Sequence, residues 1–157
     1  EELAIVIDTS ESCSGEYVRR FLEETFSILM NKDNFFRKMN VHIIQCDARA
    51  QQDDVITCED DMKRYMENFK LIGFGGTDFR PAFEYVNELC RKKVFRHLKG
   101  LLYFTDGYGT YPARRPDYDV AFVFLEESYN DRHVPPWAIK LILGPEDIQM
   151  GGLDHEH

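Results

Sequence analysis

The sequence predicts an α/β fold with a doubly wound, mostly parallel sheet, one antiparallel edge strand and helices on both faces. Continuous apolar runs such as Leu3–Ile7 are typical of parallel strands that helices cover on both sides. These runs alternate with segments of helical periodicity, which is the order of a βαβ fold. Polar residues follow several of the strands, as expected where a site lies at the carboxyl edge of a sheet.

The first half of the chain reads as strand, helix, strand, strand and helix. After the first strand, Ser14 can cap a helix whose apolar residues recur at helical spacing as far as Leu29. Val41–Cys46 is the second apolar strand. Asp53–Thr57 follows a polar turn and predicts the antiparallel edge strand. Glu59–Asn68 predicts a short polar helix.

The second half begins with a glycine-rich loop. Asp78 then stands where it can cap a helix over Phe79–Lys92, and the proline in the first turn of that helix is tolerated. Three further apolar strands are predicted at Gly100–Thr105, Val120–Leu125 and Ala138–Leu143.

The length of 157 residues fits one domain with a real core. We assign residues 1–144 to this domain and expect the polar, glycine-containing tail at 145–157 to be disordered. Because the first residue lies almost inside the first strand, we also expect the chain to be part of a longer protein.

The net charge of −9 argues against binding to a nucleic-acid backbone, which requires Lys and Arg to neutralise phosphates. The basic residues form only short local clusters, Arg91-Lys92-Lys93 and Arg114-Arg115. Read in sequence, these clusters predict a solvated helix end and a solvated loop.

The cysteines indicate a reduced, cytoplasmic protein rather than a disulfide scaffold. The chain has four of them and no C-x-x-C pair. Cys46 and Cys90 fall within strand-like and helix-like runs and are most simply core thiols. No apolar run is long enough to predict a membrane span.

Three segments carry oxygen ligands. The first strand ends in the pattern D-x-S-x-S, with Asp8, Ser10 and Ser12. Thr77 follows two glycines in the middle of the chain, and Asp106 ends a later apolar strand. Carboxylates and hydroxyls, without thiolate or imidazole, are the ligands of a hard cation such as Mg²⁺. Two neighbouring strand-end carboxylates would repel each other without such a cation.

These three parts, in this order, resemble the metal-ion-dependent adhesion site of von Willebrand factor A (VWA) domains. The resemblance covers Leu3 to about Leu143. Ala4–Ser10, Val41–Asp47 and Tyr111-Pro112 with Pro116-Asp117-Tyr118 are similar, more narrowly, to a bacterial VWA-like family that often follows a metallopeptidase-like domain.

The resemblance implies a Rossmann-like VWA fold and a site for Mg²⁺ or Mn²⁺. Ser10, Ser12 and Thr77 would offer hydroxyls, while Asp8 and Asp106 would bind the ion directly or through water. It further implies a non-enzymatic module that binds an Asp or Glu of a partner protein. A MoxR-type AAA+ ATPase is a partner that the resemblance suggests.

Aromatic and acidic residues are predicted to surround this site. Four aromatic residues stand near the predicted metal edge, as an exposed binding surface or packed onto the sheet: Phe74, Phe79, Tyr108 and Tyr111. Of these, Phe74, Tyr108 and Tyr111 are candidates for a partner-binding rim. Glu11 occupies a variable position of the motif that often holds a small residue, and is either part of that rim or a solvated loop side chain.

An alternative function is a metal-dependent phosphohydrolase that uses the strand-end aspartates. The haloacid dehalogenase pattern would require D-x-D at the first strand, where this chain has Ser10 in the third position. Lys140, in the last strand, is only a faint counterpart of the lysine of that family. A structural domain without metal is a third possibility.

Overall fold

The computed structural model describes residues 2–9, 15–30, 40–72, 78–125 and 129–143. These residues form six strands and three helices, numbered here in chain order. They are β1 (Glu2–Asp8), α1 (Gly15–Met30), β2 (Asn40–Cys46), β3 (Ala50–Ile56), α2 (Glu59–Glu67), α3 (Arg80–Arg91), β4 (Leu98–Phe104), β5 (Asp119–Leu125) and β6 (Ile139–Leu143).

The strands form one sheet in the order β3-β2-β1-β4-β5-β6. Every neighbouring pair is parallel except β2 and β3, which are antiparallel. The predicted α/β class and the predicted antiparallel edge strand are therefore confirmed. Strand order reverses between β1 and β4, because β1 leads to β2 on one side while β4 and β5 continue on the other. In an open α/β sheet such a switch point is where ligands bind.

One face of the sheet is covered by α1 and α2. Phe21 and Leu22 of α1 and Met62 of α2 are buried against Ile5 and Ile43. The helical spacing of the apolar residues in α1 explains this packing, because residues three and four apart share one side of a helix.

The other face is covered by α3 and is rich in aromatic rings. Phe83 of α3 packs against Tyr103 and Phe122, with ring centroids 5.8 and 6.1 Å apart. Tyr103 and Phe122 stack on each other at 5.5 Å. Tilted and stacked ring pairs of this kind stabilise a core beyond the burial of their area.

Most element boundaries differ from those predicted by one to three residues, and two of these differences have a clear physical cause. The edge strand β3 begins at Ala50, because its polar residues continue the ladder with β2 as far as the pair Cys46–Ala50. Helix α3 begins at Arg80 rather than Phe79. Asp78 accepts hydrogen bonds from the backbone nitrogen of Arg80 at 3.0 Å and from its guanidinium group, so it fixes the turn before the helix.

Cys46, Cys58 and Cys90 are free thiols. Cys46 is buried as expected, whereas Cys90, also predicted to be a core thiol, is only partly buried at the edge of the core. None of the helices that the structure describes is long and apolar enough to span a membrane.

Candidate metal centre

Two buried carboxylates stand at the switch point of the sheet. Asp8 ends β1, and Asp106 follows β4 by two residues. The two residues are only 4% and 8% exposed. The strands are parallel neighbours in which Ile7 pairs with Phe104. The structure therefore brings both predicted carboxylates to the carboxyl edge of adjacent strands, where each is largely removed from water.

Thr105 is a buried residue of this edge to which the sequence reading gave no role. Its hydroxyl donates a hydrogen bond to Oδ2 of Asp8 at 2.6 Å and accepts one from the backbone nitrogen of Gly107 at 3.2 Å. It thus links the end of β1 to the turn after β4. Thr105 stands beside Asp106 in the sequence, but only the register of β1 against β4 places its hydroxyl next to Asp8.

Hydrogen bonds from backbone N–H groups hold the turn that carries Asp106. Tyr108 donates its backbone N–H to Oδ1 of Asp106 at 3.1 Å, and Asn130 donates to the carbonyl oxygen of Asp106 at 2.8 Å. Gly107 has φ of 86°, and a Cβ there would lie 2.0 Å from the carbonyl oxygen of Asn130. Only glycine fits this conformation and this close approach.

The start of α3 is joined to the same turn. Asp78, the residue after Thr77, forms an isolated parallel bridge with Thr110, and Phe79 donates its N–H to the carbonyl oxygen of Thr110 at 2.9 Å. Residues next to two of the three predicted motifs therefore meet at this edge.

Gln45 anchors the segment that leads into residues 73–77. It is fully buried at the end of β2, donates through Nε2 to the carbonyl oxygen of Lys70 at 2.9 Å, and accepts from the N–H of Ile72 at 2.8 Å. One side chain thus satisfies two backbone groups of this segment.

The other predicted site residues Ser10, Glu11, Ser12, Phe74 and Thr77 lie outside the described residues. Of the two remaining aromatic residues, Tyr108 is 54% exposed beside Asp106. Tyr111 is half-buried, packs edge-on against Phe79 and Phe122, and donates its hydroxyl to the carbonyl oxygen of Gly107 at 3.1 Å.

The electrostatics of the edge are acidic. Burial raises the pKa of Tyr111, and the negative charges of Asp106, Asp131 and Asp8 raise it further. Burial likewise raises the pKa of the Cys46 thiol to about 12, with added contributions from Asp47 and Asp8. Both shifts favour the uncharged form of the group. The negative charges of this edge would therefore stabilise a bound cation.

The described residues fit a hard divalent cation. Two buried carboxylates lie at neighbouring strand ends, one of them oriented by a threonine hydroxyl, and oxygen is the donor such a cation prefers. Among the residues the structure describes, no three His, Cys, Asp or Glu side chains form a metal-binding group.

The sheet order, the switch point and the strand-end acids define a VWA-like α/β domain. A family model described as VWA-like domain (DUF2201) matches residues 3–143, and the chain belongs to this family. No curated protein matches the sequence.

Solved structures share the fold at low sequence identity. The SpRpn10 VWA domain matches with a TM-score of 0.64 and 11% identity, over 100% of this chain and 95% of its own. Proximal thread matrix protein 1 from the mussel byssus, with a zinc-occupied MIDAS motif, matches with a TM-score of 0.72 and 11% identity, over 97% of this chain and 46% of its own. Manganese-loaded TRAP protein from Plasmodium vivax matches with a TM-score of 0.62 and 10% identity, over 95% of this chain and 70% of its own.

Proposed function

We propose that this domain is a metal-dependent protein-binding module and not an enzyme. Asp8 and Asp106, with the hydroxyls of Ser10, Ser12 and Thr77, hold Mg²⁺ or Mn²⁺ at the carboxyl edge of the sheet. The ion supplies an open coordination position, which the carboxylate of an Asp or Glu on a partner protein fills.

One observation carries this proposal: Asp8 and Asp106 are both buried at the ends of adjacent parallel strands. Removing a carboxylate from water disfavours its charged form, and a second carboxylate nearby adds to that cost. A divalent cation offsets both effects. The hydrogen bond from Thr105 to Asp8 orients that carboxylate toward the turn of Asp106.

The solved structures support the choice of ion in part. The mussel protein has zinc in its MIDAS motif, and the Plasmodium protein is loaded with manganese. Both ions accept oxygen ligands, and a donor set of carboxylates and hydroxyls favours Mg²⁺ or Mn²⁺ over softer metals.

Titration calorimetry with Mg²⁺ and Mn²⁺ tests the metal site. We expect binding to the wild-type chain, an increase in melting temperature with each ion, and neither effect in Asp8→Ala, because a ligand of the folded state stabilises it by mass action. Asp119→Ala is the matched control, since its carboxylate is 80% exposed at the start of β5. Absence of binding by the wild-type chain would contradict the proposal.

The role of the partner carboxylate requires a second experiment. Once a protein partner is found, its binding should need Mg²⁺ or Mn²⁺, fail with EDTA, and weaken in Thr77→Ala while the melting temperature without metal is unchanged. Substitution of one Asp or Glu on the partner should abolish binding. We propose a MoxR-type AAA+ ATPase as the first candidate, on the ground of the family resemblance. Equal binding with and without EDTA would show that the interface lies elsewhere on the domain.

The phosphohydrolase alternative has little support from the strand order. Lys140 lies on β6, which is separated from β1 by β4 and β5, and its Nζ pairs with Asp131 at 3.1 Å. An assay with Mg²⁺ and an aryl phosphate separates the two functions. If the wild-type chain turns over the aryl phosphate and Asp106→Ala does not, the domain is an enzyme rather than a binding module.

A further inference from the structure

Arginines from two basic clusters that lie apart in the sequence line one cleft at the amino edge of the sheet. Arg91 is the last residue of α3, and Arg114 and Arg115 precede β5. The cleft has a volume of about 480 Å³. It is lined by Asn87, Cys90, Arg91, Arg114, Arg115, Pro116, Asp117 and Tyr118.

The charge of this arginine cleft is opposite to that of the protein. Three guanidinium groups and one carboxylate, that of Asp117, line it, whereas the chain carries a net charge of −9. Arg114 forms no ion pair within the described residues. Arg115 lies 4.0 Å from Asp119, and Arg91 pairs with Glu88 on the surface of its own helix. Exposed pairs of this kind are weak, so all three arginines remain able to bind an anion.

One wall of the cleft is formed by a buried side chain, and the cleft also contains an uncharged hydrogen-bond donor. Tyr118 is buried, and its hydroxyl donates to Oδ1 of Asn87 at 2.8 Å. This hydrogen bond orients the amide of Asn87. Its nitrogen has no hydrogen-bond partner among the described residues and can donate to a ligand oxygen.

We propose that the arginine cleft is a second binding site, which holds an anionic segment of a partner protein through its carboxylate or phosphoryl oxygens. Guanidinium groups match both kinds of oxyanion with paired N–H donors. The volume fits a group of a few side chains rather than an extended surface. Three arginines in a chain of this net charge are too few for a nucleic-acid backbone.

This site is independent of the metal centre in place and in chemistry. Helix α3 starts beside the metal edge at Arg80 and ends in the cleft at Arg91, so its 12 residues separate the two by about 18 Å. At the metal edge a partner carboxylate needs the bound ion. In the arginine cleft it needs only the side chains of the protein.

Fluorescence anisotropy with three labelled peptides tests the proposal: hexaglutamate, a neutral peptide with one phosphoserine, and hexaglutamine. We expect hexaglutamate, the phosphopeptide or both to bind, hexaglutamine not to bind, and EDTA to leave binding unchanged. The relative affinities of the two anionic peptides distinguish carboxylate from phosphoryl recognition. Binding of neither anionic peptide overturns the proposal, and so does binding that EDTA abolishes, since the peptide would then use the metal edge.

Variants of equal net charge locate the site. Arg114→Gln should weaken binding about tenfold, as expected for loss of a charge-assisted hydrogen bond. Arg132→Gln removes the same charge from an exposed position outside the cleft and should change affinity little. Asp117→Asn should strengthen binding. An equal loss in Arg114→Gln and Arg132→Gln would mean that only the overall charge matters, which contradicts the proposal.

Cys90 provides a direct readout within the cleft. Saturation with the bound peptide should slow alkylation of Cys90 by iodoacetamide, because the ligand covers the thiol. The exposed Cys58 is an internal control in the same molecule and should react at an unchanged rate. Protection of both thiols, or of neither, would show that the peptide does not occupy the cleft.

Discussion

The two edges of the sheet differ in the sign and in the burial of their charged side chains. At the carboxyl edge Asp8 and Asp106 are buried, and hydrogen bonds from Thr105 and from the backbone of Tyr108 hold them. At the amino edge the arginines are exposed, and their ion pairs are at the surface.

This difference predicts how each edge responds to change. Buried groups with fixed partners are costly to alter, because a lost hydrogen bond leaves a desolvated atom unsatisfied. Exposed charges are screened by salt and are replaced at small cost. Substitutions at the carboxyl edge should therefore have large effects, and those at the amino edge should change binding without changing stability.

The largest effect on metal binding is expected from Asp106→Asn, which should abolish it. Asparagine keeps the shape of the side chain and can still accept the hydrogen bond from the N–H of Tyr108, so the fold should remain. Loss of the charge should remove the stabilisation by Mg²⁺, which is about 2.7 kcal/mol at a hundredfold excess over Kd. Thermal unfolding with and without Mg²⁺ measures it.

Asp131→Asn is the control for this substitution. It removes one negative charge from a carboxylate that is 37% exposed and paired with Lys140. Asp131 adds to the negative charge of this edge but is not a proposed ligand, so this variant should retain most of the Mg²⁺ response. If Asp106→Asn also retains it, Asp106 is not a ligand and the metal site lies elsewhere.

Thr105→Val should destabilise the domain and weaken metal binding. Valine keeps the shape but removes the hydroxyl that contacts Asp8 and Gly107. We expect a loss of about 2–4 kcal/mol in the free energy of unfolding, since one of the two hydrogen bonds is to a charged group. Metal affinity should fall about 10- to 100-fold, as for other residues that orient a ligand.

The serine variant distinguishes the hydroxyl from the methyl group. Thr105→Ser retains the donor and acceptor and should recover most of the metal affinity in calorimetry. Weak binding in Thr105→Ser as well would assign the effect to packing rather than to the hydrogen bond with Asp8.

Gln45→Met should have a smaller effect on the metal site. It removes the side-chain amide that satisfies Lys70 and Ile72, so these backbone groups lose their partner within the described residues. We expect a loss of about 1–3 kcal/mol in stability. Metal affinity should fall less than in Thr105→Val, since Gln45 acts on the segment before residue 73. Chemical denaturation and calorimetry measure the two effects, and unchanged metal affinity would show that this anchor does not position the site.

The strand-end acids could be predicted from the sequence because a parallel sheet places them. An apolar run that ends in Asp8 or leads to Asp106 puts each carboxylate at the same edge, whatever the details of packing. The role of Thr105 could not be predicted in the same way. It depends on the register of β1 against β4, which the chain sets only when the sheet assembles.

Neither the start of β3 nor the arginine cleft could be predicted from the sequence, because both depend on contacts between distant segments. Ala50 begins β3 because β2 offers it a ladder partner, although the residues that follow are polar and read as a turn. Arg91 and Arg114 meet because α3 ends where the segment before β5 passes. Their separation in sequence gives no sign that they line one cleft, which is why each cluster alone predicts a solvated surface.

The smallest expected effect is the influence of one edge on the other. An ion of charge +2 about 18 Å from a phosphoserine of charge about −2 contributes about 0.9 kcal/mol in water without salt. At an ionic strength of about 150 mM, screening reduces this to about a tenth, so Mg²⁺ should leave the affinity of the phosphopeptide unchanged within error. At about 10 mM, where the Debye length is about 30 Å, affinity should rise about twofold with Mg²⁺. Asp106→Asn should abolish that rise, and Asp131→Asn should not. Anisotropy titrations at both ionic strengths measure the effect. A tenfold change at the higher ionic strength could not come from screened charge, and would mean that α3 couples the two sites through a change in structure.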